Sequence, residues 1–174
     1  MIPNLLTTVR LGLVPVFVYF MLGSHNLYAA ALVLVLSGIT DVIDGYIARH
    51  FNMITDFGKI YDPFVDKLMQ ITVVVCLVSR GIIPIWLLAI VAAKEVTMIV
   101  TGGILYLKKI VVSSNWYGKA ATVIFYAAVL VMIIWNNIPY NVFLIVIAAM
   151  IAAMLLAAAG YFVDTVKNFS KKRV

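Results

Sequence analysis

The stretch DVIDGYIARHFNMITDFGKIYDPFVDK, residues 41–67, decides how the rest of the 174-residue chain is read. The whole sequence has seven acidic residues, and five of them, Asp41, Asp44, Asp56, Asp62 and Asp66, fall inside it. The sequence on either side is greasy: 65% of residues are hydrophobic, 11% are charged, and mean hydropathy is +1.11. Soluble domains run nearer about 45–50% apolar and about 25% charged. A length that otherwise fits one ordinary domain therefore points to a membrane protein, in which a cluster of carboxylates needs a reason.

Outward from the window, the chain divides into apolar runs of about 18–25 residues, the length a helix needs to cross the hydrocarbon core. These runs predict spans near 5–22, 27–48, 60–79, 82–107, 117–135 and 141–163. Only helices and closed barrels satisfy every backbone group in lipid, and the runs lack the period-2 alternation of barrel strands. The expectation is an all-α integral membrane protein with six transmembrane helices, forming a single domain over residues 1–174. The lone Cys76 excludes an intramolecular disulfide framework.

Lys and Arg set the orientation. Arg10, Arg49, Lys59, Lys108, Lys109, Lys119 and the tail KNFSKKRV fall on one side, and Arg80 alone on the other. Both termini are thus expected in the cytoplasm, with the carboxylate window opening to that side. The net charge of +6 calls for no nucleic-acid partner, because most of it meets anionic headgroups at about 1 kcal/mol per basic residue.

Asp41 and Asp44 are three apart near the end of the second run, and Asp62 and Asp66 are four apart at the start of the third. Each pair shares a helical face. Folding one run back on the other brings four carboxylates together, and such a set is stable only around a cation. Oxygen-only ligands suit Mg²⁺ or Mn²⁺, and four carboxylates suffice for two ions about 3.5–4 Å apart, a common device in phosphoryl chemistry. A solvated helix end explains Asp56 well. It explains the other four poorly, since ionisable groups in a membrane segment are costly. Gly45 and Gly58 leave room for a close approach, and Arg49 is suited to clamp a phosphate. The window reads as a pyrophosphate-plus-metal site.

Asp41-x-x-Asp44-Gly45-x-x-Ala48-Arg49, followed after eight residues by Gly58-x-x-x-Asp62-x-x-x-Asp66, resembles the complete signature of the CDP-alcohol phosphatidyltransferases. The resemblance implies transfer of a phosphatidyl group from CDP-diacylglycerol to an alcohol, with release of CMP. It also implies a homodimer in a bacterial cell membrane whose active site faces the cytoplasm. By the same resemblance Asp41, Asp44, Asp62 and Asp66 form the metal-binding set, with Asp66 also the general base. Gly45, Ala48, Arg49 and Gly58 correspond to the positions that accommodate the CDP moiety.

Three further stretches, IPNLLTTVR, DFGKIYDPFVDKLM and SSNWYGKAAT, resemble the phosphatidylglycerophosphate synthases and related cardiolipin synthases of that family. This implies glycerol 3-phosphate as acceptor. The alternatives are the same chemistry on phosphatidylglycerol, inositol phosphate or serine, and, remotely, a small transporter. Lys94, Lys119 and Lys109 are the candidates for the acceptor phosphate. Where these synthases often carry Arg-Glu, this chain has Lys94-Glu95, and adjacent residues are expected on different helical faces. Asn4, Thr7 and Arg10 share a face of the first helix and are candidate donor-side contacts.

Overall fold

The computed structural model describes residues 2–50, 58–107, 116–135 and 137–171, with side-chain surroundings over 7–43, 61–62, 64–97, 100, 118, 120–135, 137–160 and 163. The regular elements described are all helical: α1 Ile2–Val18, α2 Leu27–His50, α3 Gly58–Ser79, α4 Ile85–Leu107, α5 Trp116–Ile134 and α6 Tyr140–Lys171. They match the six apolar runs within a few residues, apart from α6. That helix continues past the apolar run to Lys171, because no Pro or Gly in VDTVKNFSK interrupts it. Among the described residues one stretch, Tyr140–Gly160 with hydropathy 2.9, is long and apolar enough to cross a membrane. Thr7–Gly23, Leu27–Ile43 and Ala120–Ile134 are shorter apolar helical stretches.

The turns have local causes. Pro15 lies inside α1, where it lacks an N–H and crowds the preceding turn. The helix then widens into a π-helical turn, Tyr19–Gly23. Asn26 caps α2 by accepting the Ala29 N–H at its Oδ1, 3.0 Å away. After α3, Gly81 takes φ +68, which suits a residue without Cβ. The Gly81 N–H bonds Val78 O and the Ile82 N–H bonds Leu77 O, both at 2.9 Å. This is a Schellman closure, and it turns the chain toward Pro84 and α4.

The chain forms two compact units, residues 1–92 and 93–174. In the first, α1 packs against both α2 and α3. Val65, Met69, Val73 and Leu77 recur every fourth residue on α3 and are all buried, together with Phe17, Met21 and Leu34. Asp62, Asp66 and Gln70 make the neighbouring stripe of the same helix. In the second unit α5 packs against α6, around Phe125, Val129, Ile133, Ile147, Met150 and Met154.

Large apolar side chains also cover the outside, Tyr28, Leu32, Val42, Ile145, Leu155 and Leu156 among them. An apolar exterior of this kind suits hydrocarbon rather than water. Ser79, Thr97 and Thr122 donate their hydroxyls to carbonyls four residues back in their own helices, at 2.8, 2.7 and 3.1 Å. That satisfies them without a partner helix.

Candidate functional site

Two polar residues of α1 organise the carboxylates. Thr7 Oγ1 donates a hydrogen bond to Asp62 Oδ1 on α3. One turn further along, Arg10 reaches two helices at once. Its Nη2 lies 2.8 Å from Asp41 Oδ1 on α2, and its Nη1 lies 3.7 Å from Asp66 Oδ1 on α3. The Arg10 side chain is 1% exposed, while Asp41 and Asp66 remain 48% and 26% exposed. A guanidinium never loses its proton, so its burial requires counter-charge, and the two carboxylates supply it. Helix α1 is therefore the post on which α2 and α3 present their acids.

The order follows from spacing. Thr7 and Arg10 are three apart and share a face; Asp62 and Asp66 are four apart and do the same on α3. Matching the two faces pairs Thr7 with Asp62 and Arg10 with Asp66. The described partners of Thr7 and Arg10, candidate donor-side contacts from the sequence, are the carboxylates. Among the described residues, the link between Asp41 and Asp66 runs through Arg10. The contact spans 55 residues for Thr7 and Asp62, so local periodicity did not reveal it. The available signal was the same for both sides, a polar pair in an apolar helix that needs partners.

Among the described residues no three His, Cys, Asp or Glu side chains form one chelating group. The donor chemistry nevertheless fits a hard divalent cation. Asp41 and Asp66 come from different helices to one cationic group, Asp62 lies one turn before Asp66, and all donors are carboxylate oxygens. Asp44 follows Asp41 by three positions in α2, but its side chain lies outside the described residues. The same holds for Asn4, Gly45, Ala48 and Arg49 in their helices, for Gly58 at the first position of α3, and for Lys119 in the first turn of α5. Lys109 lies outside the described residues altogether.

Lys94 and Glu95 form a largely buried charge pair. Lys94 Nζ lies 2.5 Å from Glu95 Oε1, and Glu95 is fully buried. Adjacent Cβ atoms do diverge on a helix, but the long lysine stem still carries its ammonium to the neighbour's carboxylate. Lys94 is thus the counter-ion of a buried carboxylate. Gln70, one turn beyond Asp66 on α3, is a further buried polar residue to which the sequence reading gave no role.

Residues 1–164, which contain every residue of this arrangement, match the family model for CDP-alcohol phosphatidyltransferase. The chain belongs to the CDP-alcohol phosphatidyltransferase family. Within that family it is 39% identical over 130 residues to a cardiolipin synthase (CMP-forming) of Streptomyces coelicolor, covering 70% of this chain and 59% of the relative. It is 31% identical over 156 residues to a CDP-diacylglycerol–glycerol-3-phosphate 3-phosphatidyltransferase of Bacillus subtilis, covering 80% and 79%. A Rickettsia felis protein of the same name is 30% identical over 165 residues, covering 92% and 91%. The chain therefore spans little more than half the length of the Streptomyces relative, but most of the length of the other two.

Proposed function

We propose that the protein transfers a phosphatidyl group from CDP-diacylglycerol to glycerol 3-phosphate, giving phosphatidylglycerophosphate and CMP. The observation that carries this reading is the gathering of signature carboxylates around α1: Asp41 and Asp66 on Arg10, and Asp62 on Thr7. Glycerol 3-phosphate is favoured as acceptor because the relatives named for that substrate align over 79% and 91% of their own length. The second reading, transfer to phosphatidylglycerol, is supported by the 39% identity to a cardiolipin synthase over 59% of that protein.

In this reading Asp41, Asp44, Asp62 and Asp66 hold Mg²⁺ or Mn²⁺, two ions for four carboxylates. A divalent ion held by these carboxylates would neutralise the pyrophosphate and stabilise the departing CMP. Asp66, at the longer of the two Arg10 contacts, turns to the acceptor hydroxyl and takes its proton. The acceptor oxygen bonds to the phosphorus that carries the diacylglycerol, and the bond from that phosphorus to CMP breaks. The proton leaves with CMP or to water. Gly45, Ala48, Arg49 and Gly58 receive the CDP moiety, and Lys119 and Lys109 remain candidates for the acceptor phosphate. Lys94, the counter-ion of Glu95, is the third candidate, since its ammonium has further donors to offer.

The six helices span the membrane with both termini in the cytoplasm, as the one-sided Lys and Arg distribution supports, and the site opens to that side. Two copies associate through helix contacts, for which Gly102 and Gly103 are suited by size. The test is product identification. Purified protein receives labelled CDP-diacylglycerol and, separately, glycerol 3-phosphate, phosphatidylglycerol, inositol phosphate or serine. Labelled phosphatidylglycerophosphate with the first acceptor upholds the proposal. Product only with another acceptor overturns the choice of acceptor.

A further inference from the structure

Gln70 is a buried polar residue that phosphatidyl transfer, as argued above, leaves unused. Its side chain is 2% exposed, and its amide oxygen Oε1 is buried with no hydrogen-bond partner among the described residues. An acceptor buried in that way carries an unrelieved desolvation penalty, which a donor from outside the described protein groups would relieve.

The helical register says where that donor comes from. Gln70 follows Asp62 and Asp66 at four-residue spacing on α3, and this is the stripe that meets Thr7 and Arg10. The helix rises about 6 Å from Asp66 to Gln70. Helical side chains lean toward the N-terminal end of their helix, so the Gln70 amide leans back toward Asp66. On α2 the buried Ser37 stands one turn before Asp41. A buried polar residue thus stands one turn past the carboxylates on each of α2 and α3, away from the helix ends that flank residues 51–57.

We propose that Gln70 Oε1 accepts a hydrogen bond from the second hydroxyl of a glycerol-type acceptor, on the carbon next to the one that bears the attacking hydroxyl. The site would then select vicinal diols over simple alcohols. This inference rests on the phosphatidyl-transfer reading and adds the acceptor class to it. Two sources carry the diol, glycerol 3-phosphate in solution and the headgroup of phosphatidylglycerol in the bilayer. Gln70 binds and orients; no bond to it forms or breaks. It is a specificity-determining residue, and its loss is felt only by acceptors that carry the second hydroxyl.

The experiment measures CMP release by the purified full chain with four acceptors. These are glycerol 3-phosphate, a propanediol phosphate lacking the middle hydroxyl, phosphatidylglycerol, and a phosphatidyl propanediol lacking the same hydroxyl. The wild-type protein is expected to favour the diol by about 10- to 100-fold in kcat/KM on the arm it uses. Gln70→Met and Gln70→Leu, which remove the acceptor without a large loss of volume, bring that ratio close to one. They do so by lowering kcat/KM for the diol, leave the deoxy acceptor nearly unchanged, and do not lower Tm. An active wild type without preference, or a preference that both variants keep, overturns the role of Gln70 alone. If the wild type releases CMP with no glycerol acceptor, the proposed function fails and this inference fails with it.

Discussion

Replacing Arg10 by Met probes the framework of the site without touching a signature residue. The guanidinium is buried and bridges Asp41 at 2.8 Å and Asp66 at 3.7 Å, so its removal takes away one counter-charge from two helices. Removing one partner of a buried pair costs about 3–5 kcal/mol. Asp41 stays half exposed, so water recovers part of the loss, and the expected cost is about 2–3 kcal/mol. In a chain of this length each kcal/mol moves Tm by about 2–4 °C, so a fall of about 5–10 °C is expected. The assay is thermal unfolding of detergent-solubilised protein, without substrate and in the presence of a chelator. Arg10→Lys should fall between, because an ammonium keeps the charge but lacks the planar fork that reaches both carboxylates. An unchanged Tm for Arg10→Met, with a raised KM for CDP-diacylglycerol, would show that Arg10 serves the donor phosphates instead and would refute the reasoning.

A divalent ion that binds the folded protein must stabilise it by mass action. Saturating Mg²⁺ should therefore raise the wild-type Tm, and Asp41→Asn or Asp62→Asn should abolish most of that rise; a full rise in both variants would remove these residues from the metal set. Lys94→Ala should lower Tm by leaving Glu95 buried without its lysine, and Lys94→Ala combined with Glu95→Gln should recover much of the loss. Lys119→Ala should instead leave Tm unchanged and raise the acceptor KM by about ten- to a hundredfold, as expected for loss of a charged phosphate contact. If Lys119→Ala changes neither quantity, the lysine is an interfacial anchor.

The helices were legible because a run of apolar residues about 20 long leaves the backbone few choices, and Pro84, Pro139, Gly81 and Asn26 mark the breaks between them. The extension of α6 to Lys171 was not, since hydropathy reports where lipid ends and not where helical hydrogen bonding ends. In the site, the carboxylate spacing was readable as faces, but the partner of each face was not. Thr7 meets Asp62 because α1 packs on α3, and no local pattern encodes that. Lys94 and Glu95 show the reverse limit. Their Cβ directions were read correctly, yet the flexible lysine stem allows an ion pair that a rule about faces does not anticipate. Gln70 carried a signal, four residues after Asp66 in an otherwise apolar run, but a single neutral amide is weak beside four carboxylates.

In the proposed reaction Asp66 takes the proton of an alcohol while CMP leaves CDP-diacylglycerol. The most direct test of this step compares CMP release by wild-type and Asp66→Asn protein, with Mg²⁺ and with or without glycerol 3-phosphate. CMP should appear only with the acceptor, one per phosphatidylglycerophosphate formed. Asp66→Asn should lower kcat by about 10²–10⁴-fold while the protein still binds CDP-diacylglycerol. CMP release that ignores the acceptor, or an Asp66→Asn variant with wild-type turnover, would contradict the account.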